Sequence, residues 1–175
     1  KNFNVCYSRV DADGSIQDYY EAENMVGISD VDTRALVRHI RDKGAMNGII
    51  SSDTTDIAAL KEKLAEVPSM EGLQLCSKVS TQESYFFGDE TAAMKVAVLD
   101  LGVKRNILRC LSDRGCYLKV FPMDVTFEEM QAWNPDGYFL SNGPGDPAAM
   151  PEVIENVKKV TATGNPVFGI CLGHQ

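Results

Sequence analysis

Pro166-Val167-Phe168-Gly169-Ile170-Cys171-Leu172-Gly173-His174-Gln175 closes the 175-residue sequence. A short apolar run, suited to a buried strand, enters a Gly-x-Cys-x-Gly turn, and helix-compatible residues follow. Backbone folds closely around a side chain held on a tight strand-to-helix turn, so its neighbours must be small. Such a turn lifts the central side chain above the sheet and sets it at the positive end of the next helix. That position lowers a thiol's pKa and raises its thiolate fraction. Two readings of Cys171 fit these residues: a nucleophile on an elbow, and a structural core cysteine beside two turn glycines.

Working upstream, the pattern is regular back to Lys95. Val96-Ala97-Val98-Leu99 is an apolar run of the kind found in buried parallel strands. Gly102 follows, then a helix with Val103, Ile107, Leu108 and Leu111 on one face and Gly115 as its stop. Tyr117–Phe121 is a second strand, and Thr126-Phe127-Glu128-Glu129 opens a short helix with a capping box. Gly137-Tyr138-Phe139-Leu140 is a third strand. Pro151 starts a helix whose Val153, Ile154, Val157 and Val160 are expected to face the core, with Gly164 ending it. Strands alternating with helices predict an α/β fold, here an incomplete doubly wound, mostly parallel sheet. Ligands of such sheets bind at the carboxyl ends of strands, which is where Cys171 stands.

Residues 1–93 are patterned differently and are expected to be part of a smaller α+β domain plus a linker, with residues 94–175 the second domain. Asp11-Ala12-Asp13-Gly14 lacks the spaced oxygen ligands of a calcium loop and reads as a turn in which Gly14 supplies a positive φ. Asp30 or Asp32 caps a helix running to about Lys43, with Gly44 as its stop. His39 lies on or beside its apolar stripe, as a packed or solvated histidine. Residues 45–51 are expected as a strand. Thr55 is expected to cap a further helix that Pro68 ends. From Ser69 to Met94 periodicity is weak, with one short strand near Tyr85-Phe86-Phe87.

Composition excludes several function classes. A net charge of −8 is wrong for a nucleic-acid surface, which needs clustered Lys and Arg. The acid excess is uneven: residues 95–175 carry 8 basic and 9 acidic groups, and residues 1–94 carry the other 9 and 16. No apolar run approaches the roughly 18 residues of a membrane helix. Five cysteines without paired spacing indicate neither a zinc site nor a disulfide framework, so no metal is expected and a reduced, cytoplasmic setting is. The first residue is Lys1 rather than methionine and the last residues look like a helix start, so both ends are expected to be truncated.

A second loop bears on Cys171. The strand ending at Leu140 runs into Ser141-Asn142-Gly143-Pro144-Gly145-Asp146-Pro147. Its glycines let backbone N–H groups approach a ligand, at the same sheet edge as Cys171. Acyl transfer needs donors aimed at the developing oxyanion, and backbone N–H groups serve without reorganisation. The N–H of Leu172 is one natural donor and the glycine loop a source of another. A plain turn is the alternative.

Both motifs, in this order and spacing, resemble the signatures of class I glutamine amidotransferases. Gly102-Val103-Lys104-Arg105-Asn106-Ile107-Leu108 resembles, within that class, the small glutaminase chain of carbamoyl-phosphate synthetase. So does the block from Val31 to Met46. The resemblance covers residues from about 25 to 175. It implies that Cys171 is the nucleophile attacking the side-chain amide of glutamine. By the same resemblance, Gly143 and Leu172 surround the oxyanion and bound glutamine, and Gly145 and Gln175 contact glutamine. It further implies that ammonia passes to a large synthetase chain, which holds ATP and Mg and makes carbamoyl phosphate for arginine and pyrimidine synthesis; no cofactor is implied in this chain. The family's base, a histidine in a His-x-Glu pair beyond the nucleophile, has no counterpart here. Only His39 and His174 exist. The polypeptide alone is therefore expected to be inactive. The competing readings are another cysteine-elbow fold of the same superfamily and a flavodoxin-like, non-catalytic module with a structural cysteine.

Overall fold

Where apolar residues alternate along a strand, each face of the sheet needs its own cover, and the second half of this chain supplies both covers. The computed structural model describes residue 10 and residues 12–175. Five strands form one sheet in the order β1-β3-β2-β4-β5. They are β1 (Tyr85–Phe87), β2 (Met94–Leu99), β3 (Cys116–Phe121), β4 (Gly137–Leu140) and β5 (Val167–Gly169). β2, β3, β4 and β5 pair in parallel; β1 joins β3 antiparallel at one edge. On one face Val98, Leu118, Val120 and Phe139 pack with Leu108 of α4 (Arg105–Ser112). On the other, Ala97, Leu99, Phe121, Tyr138 and Leu140 pack with Met130 of α5 (Phe127–Ala132) and Val153 and Val160 of α6 (Pro151–Ala162). Helices on both faces of a largely parallel sheet make the doubly wound α/β arrangement that the strand–helix alternation predicts. Full burial of each such side chain contributes roughly 1.5–3 kcal/mol.

Details differ from the expectations above. The box at Thr126 is complete: its hydroxyl accepts from the Glu129 N–H, and the Glu129 carboxylate accepts from the Thr126 N–H. Ile154, expected in the core, is more than a third exposed on α6. Val103 precedes α4 but still packs on its cluster. The compact units divide between Met70 and Glu71. Residues 71–93, read as linker, therefore belong to the second unit: Cys76 is fully buried and β1 pairs with β3.

Among its described residues the first unit, taken by itself, contains three helices. These are α1 (Ile16–Ala22), which the sequence reading missed, α2 (Thr33–Lys43) and α3 (Ile57–Ala65). Asp32, not Asp30, caps α2, and Asp56 rather than Thr55 caps α3, each accepting two backbone N–H groups. Residues 45–51 form no strand, because an apolar stretch becomes one only with a partner to pair with, and every described strand lies between residues 85 and 169. Gly14 sits at a bend and has no positive φ; the turn read there begins at Asp11, outside the described residues. Among the described residues no helix is long and apolar enough to cross a membrane.

Candidate active site

The sheet brings three loops together. Leu99 of β2 is in register with Leu140 of β4, and Leu140 with Gly169 of β5. The carboxyl ends of these parallel strands therefore stand side by side. The chain leaves β2 for β3 on one side, then returns to β4 on the other. The crevice at such a reversal is where open α/β sheets bind ligands.

Cys171 follows β5 on a strained turn. Its φ is 54°, a left-handed conformation that non-glycine residues seldom adopt. The turn closes tightly through the Ile170 N–H on the Leu140 carbonyl (3.1 Å) and the Gly173 N–H on the Ser141 carbonyl (3.1 Å). A β-carbon at Gly173 would collide with the Leu140 carbonyl, and one at Gly169 with the Gly173 carbonyl. Both glycines are thus required by space, as the elbow reading demands. Cys171 is exposed, while the neighbouring Leu172 side chain is buried in the core. Cys171–Gly173 form a single 3-10 turn, closed by the His174 N–H on the Cys171 carbonyl.

The loop after β4 is held from two sides. Ser141 is fully buried; its hydroxyl accepts from the Leu101 N–H and donates to the Asn142 carbonyl, both at 2.8 Å. The Asn142 amide donates to the Gly102 carbonyl (2.9 Å) and accepts from the Lys104 N–H (3.3 Å). On the far side, Gly145 bridges Gln74, and the Asp146 N–H donates to the Leu73 carbonyl (3.0 Å). The Asp146 carboxylate accepts from the Gly72 and Ala148 N–H groups, which hold its pKa below the ordinary aspartate value. The buried Cys76 thiol donates to the Pro144 carbonyl (3.2 Å). Burial, and then the negative charge of Asp100, push that thiol's pKa up, so it stays a protonated donor. Among the described residues, neither the Gly143 N–H nor the Leu172 N–H has an acceptor.

Two stretches of the chain match known protein families. Residues 97–175 match the class-I glutamine amidotransferase family, and residues 1–50 match the carbamoyl-phosphate synthase small chain, CPSase domain. Proteins named carbamoyl phosphate synthase small chain from Synechococcus sp. and Vibrio vulnificus are 46% and 45% identical over 94% and 92% of this chain. A third, from Nostoc sp., is 43% identical over 98% of it. Over nearly its whole length the chain is thus similar to carbamoyl phosphate synthase small chains. It spans 45%, 47% and 49% of those relatives' own lengths.

The fold brings the turn with Cys171 and Leu172 beside the loop with Gly143 and Gly145, on adjacent strands. Gln175 is exposed; its N–H donates to the Cys171 carbonyl (3.2 Å), and it lines a cavity of about 400 Å³ with Leu172 and Gly173. The histidines stand apart from these roles. His39 is exposed on α2 of the first unit, and His174 closes the 3-10 turn. Sequence reasoning missed the supports of the loop: Asp100, Ser141 and the segment from Gly72 to Cys76. Asp100 and Ser141 were detectable in principle, since each is the first residue after a strand's carboxyl end.

Proposed function

We propose that the chain provides the nucleophile and oxyanion site of a glutaminase that feeds ammonia to a carbamoyl-phosphate synthetase large chain. The Cys171 sulfur, as thiolate, bonds to the side-chain amide carbon of glutamine. The N–H groups of Gly143 and Leu172 receive the oxyanion, while Gly145 and Gln175 hold the substrate. The tetrahedral adduct collapses with cleavage of the C–N bond, and the nitrogen leaves as ammonia after taking a proton. Water then hydrolyses the γ-glutamyl thioester, releasing glutamate and restoring the thiol. ATP and Mg²⁺ are assigned to the large chain. The observation that carries the reading is the left-handed φ of the exposed Cys171 between two space-limited glycines. Strain of that kind, on a nucleophilic side chain at a ligand-binding sheet edge, is the mark of an elbow.

The histidines of residues 1–175 are His39 and His174, and neither stands in the His-x-Glu pair that the resemblance implies as the base. Loss of a positioned base slows such reactions on the order of 10²–10⁴-fold. The 175-residue polypeptide assayed alone is accordingly proposed to be nearly inactive. The decisive experiment treats the full-length protein that carries this chain with a diazoketone analogue of glutamine and maps the adduct by mass spectrometry. Modification confined to Cys171, slowed by glutamine and accompanied by loss of glutamine hydrolysis, is the expected result. Equal labelling of several thiols, or no protection by glutamine, would sink the reading.

A further inference from the structure

Asp100 is a buried carboxylate for which the mechanism above has no use. It is 4% exposed, directly after β2, with no cation in a salt bridge to it among the described residues. Backbone donors compensate its charge instead. One oxygen accepts from the Gly102 N–H (2.9 Å) and the Val103 N–H (2.8 Å), and the other accepts from the Thr81 N–H (2.8 Å). Burying a carboxylate is costly unless it is bonded in this way. Three donors from two segments fix the turn Leu101–Val103 in one conformation.

That turn is the surface against which the oxyanion loop is shaped. The Leu101 N–H goes to Ser141 and the Gly102 carbonyl to Asn142, the two residues immediately before Gly143. Gly143 itself lies so close to the Leu101 carbonyl that a β-carbon there would overlap it. The direction of the Gly143 N–H is therefore set by contact with the turn that Asp100 holds. Resting on the glutaminase reading above, we infer that Asp100 is a positioning residue: by clamping Leu101–Val103 it aims the Gly143 N–H at the developing oxyanion. It touches no reacting atom. Its effect belongs to the transition state, because the donor it aims is needed most when negative charge develops.

The test uses Asp100→Asn in the full-length protein with its synthetase partner. One amide oxygen still accepts from Gly102 and Val103, but an NH₂ now faces the Thr81 N–H. Removing an oxyanion donor outright costs about 10²–10³-fold in kcat; a misaimed one is expected to cost roughly 10-fold or more, with KM for glutamine changed less than about 3-fold. Alkylation of Cys171 by iodoacetamide, which needs no oxyanion donor, should stay within about 2-fold of the parent. A kcat within 2-fold of the parent, or a parallel fall in iodoacetamide reactivity, overturns the positioning role. Should Asp100→Asn fail to fold, Asn142→Ala decides, with the same split expected. Cys171→Ser separates the two levels: if it still hydrolyses glutamine, the glutaminase reading has failed, whatever Asp100 does.

Discussion

The two halves of this chain form helices by the same local rules, yet among the described residues only one half buries anything. Between Val10 and Met70 no described residue is buried, although α2 alone exposes Leu36, Val37 and Ile40. Among the described residues, every buried one falls between Cys76 and Leu172, within the second unit. Caps at Ser15, Asp32 and Asp56 are as well made in the first unit as the cap at Thr126 is in the second. The difference teaches that capping decides where a helix starts, whereas burial decides how much the rest of the structure depends on it.

The sharpest way to break that comparison is to delete the same side chain in both regions. Leu118, fully buried in β3, should cost about 2–5 kcal/mol when replaced by alanine, read as a lower urea midpoint. Leu36→Ala, at a position 48% exposed, should stay within about 0.5 kcal/mol. Comparable losses at the two sites would mean that the first unit owns a core after all. A smaller effect comes from the caps. Thr126→Ala should lower the unfolding midpoint by about 1 kcal/mol in free energy. Asp32→Ala removes bonds to Arg34 and Ala35 from a helix that buries nothing. Its cost should appear as reduced helical circular dichroism, not as a shifted midpoint.

The smallest effect is electrostatic. The Asp146 carboxyl has its pKa lowered in the fold by the Gly72 and Ala148 N–H groups. A carboxyl depressed in the folded state stabilises it above the unfolded value, about pH 3.9, and that contribution fades as pH falls through the folded value. Asp146→Asn should therefore flatten the acid limb of stability against pH, by slightly lowering stability at neutral pH and leaving it nearly unchanged at low pH. An unaltered acid limb would show that the loop is held by its other contacts.

Much of the second unit was legible because its signals are local and repeated. Alternating apolar runs and helix stripes marked the sheet strands, and Thr126 and Glu129 three residues apart marked α5. The two glycine motifs stood out because close backbone approach leaves few residue choices. What stayed hidden depends on partners distant in sequence. Residues 71–93 look like linker until Asp146 and Pro144 supply the groups that bind Gly72 and Cys76. Asp100 looks like an ordinary aspartate after a strand until Thr81 is folded onto it. In the first unit, α1 escaped notice because Ile16–Ala22 is only seven residues long, too short to repeat its pattern over a second turn, and residues 45–51 had apolar character but no neighbouring strand.

The backbone at Cys171 has one more consequence. A left-handed conformation suits glycine best, so the fold by itself would rest more easily with a third glycine between Gly169 and Gly173. On the nucleophile role proposed above, chemistry rather than folding keeps a thiol there. The position is thus a place where stability and chemistry favour different residues, and a variant library sorted for thermal resistance alone would tend to erase it. A library sorted for glutamine turnover would keep it and leave the strain in place.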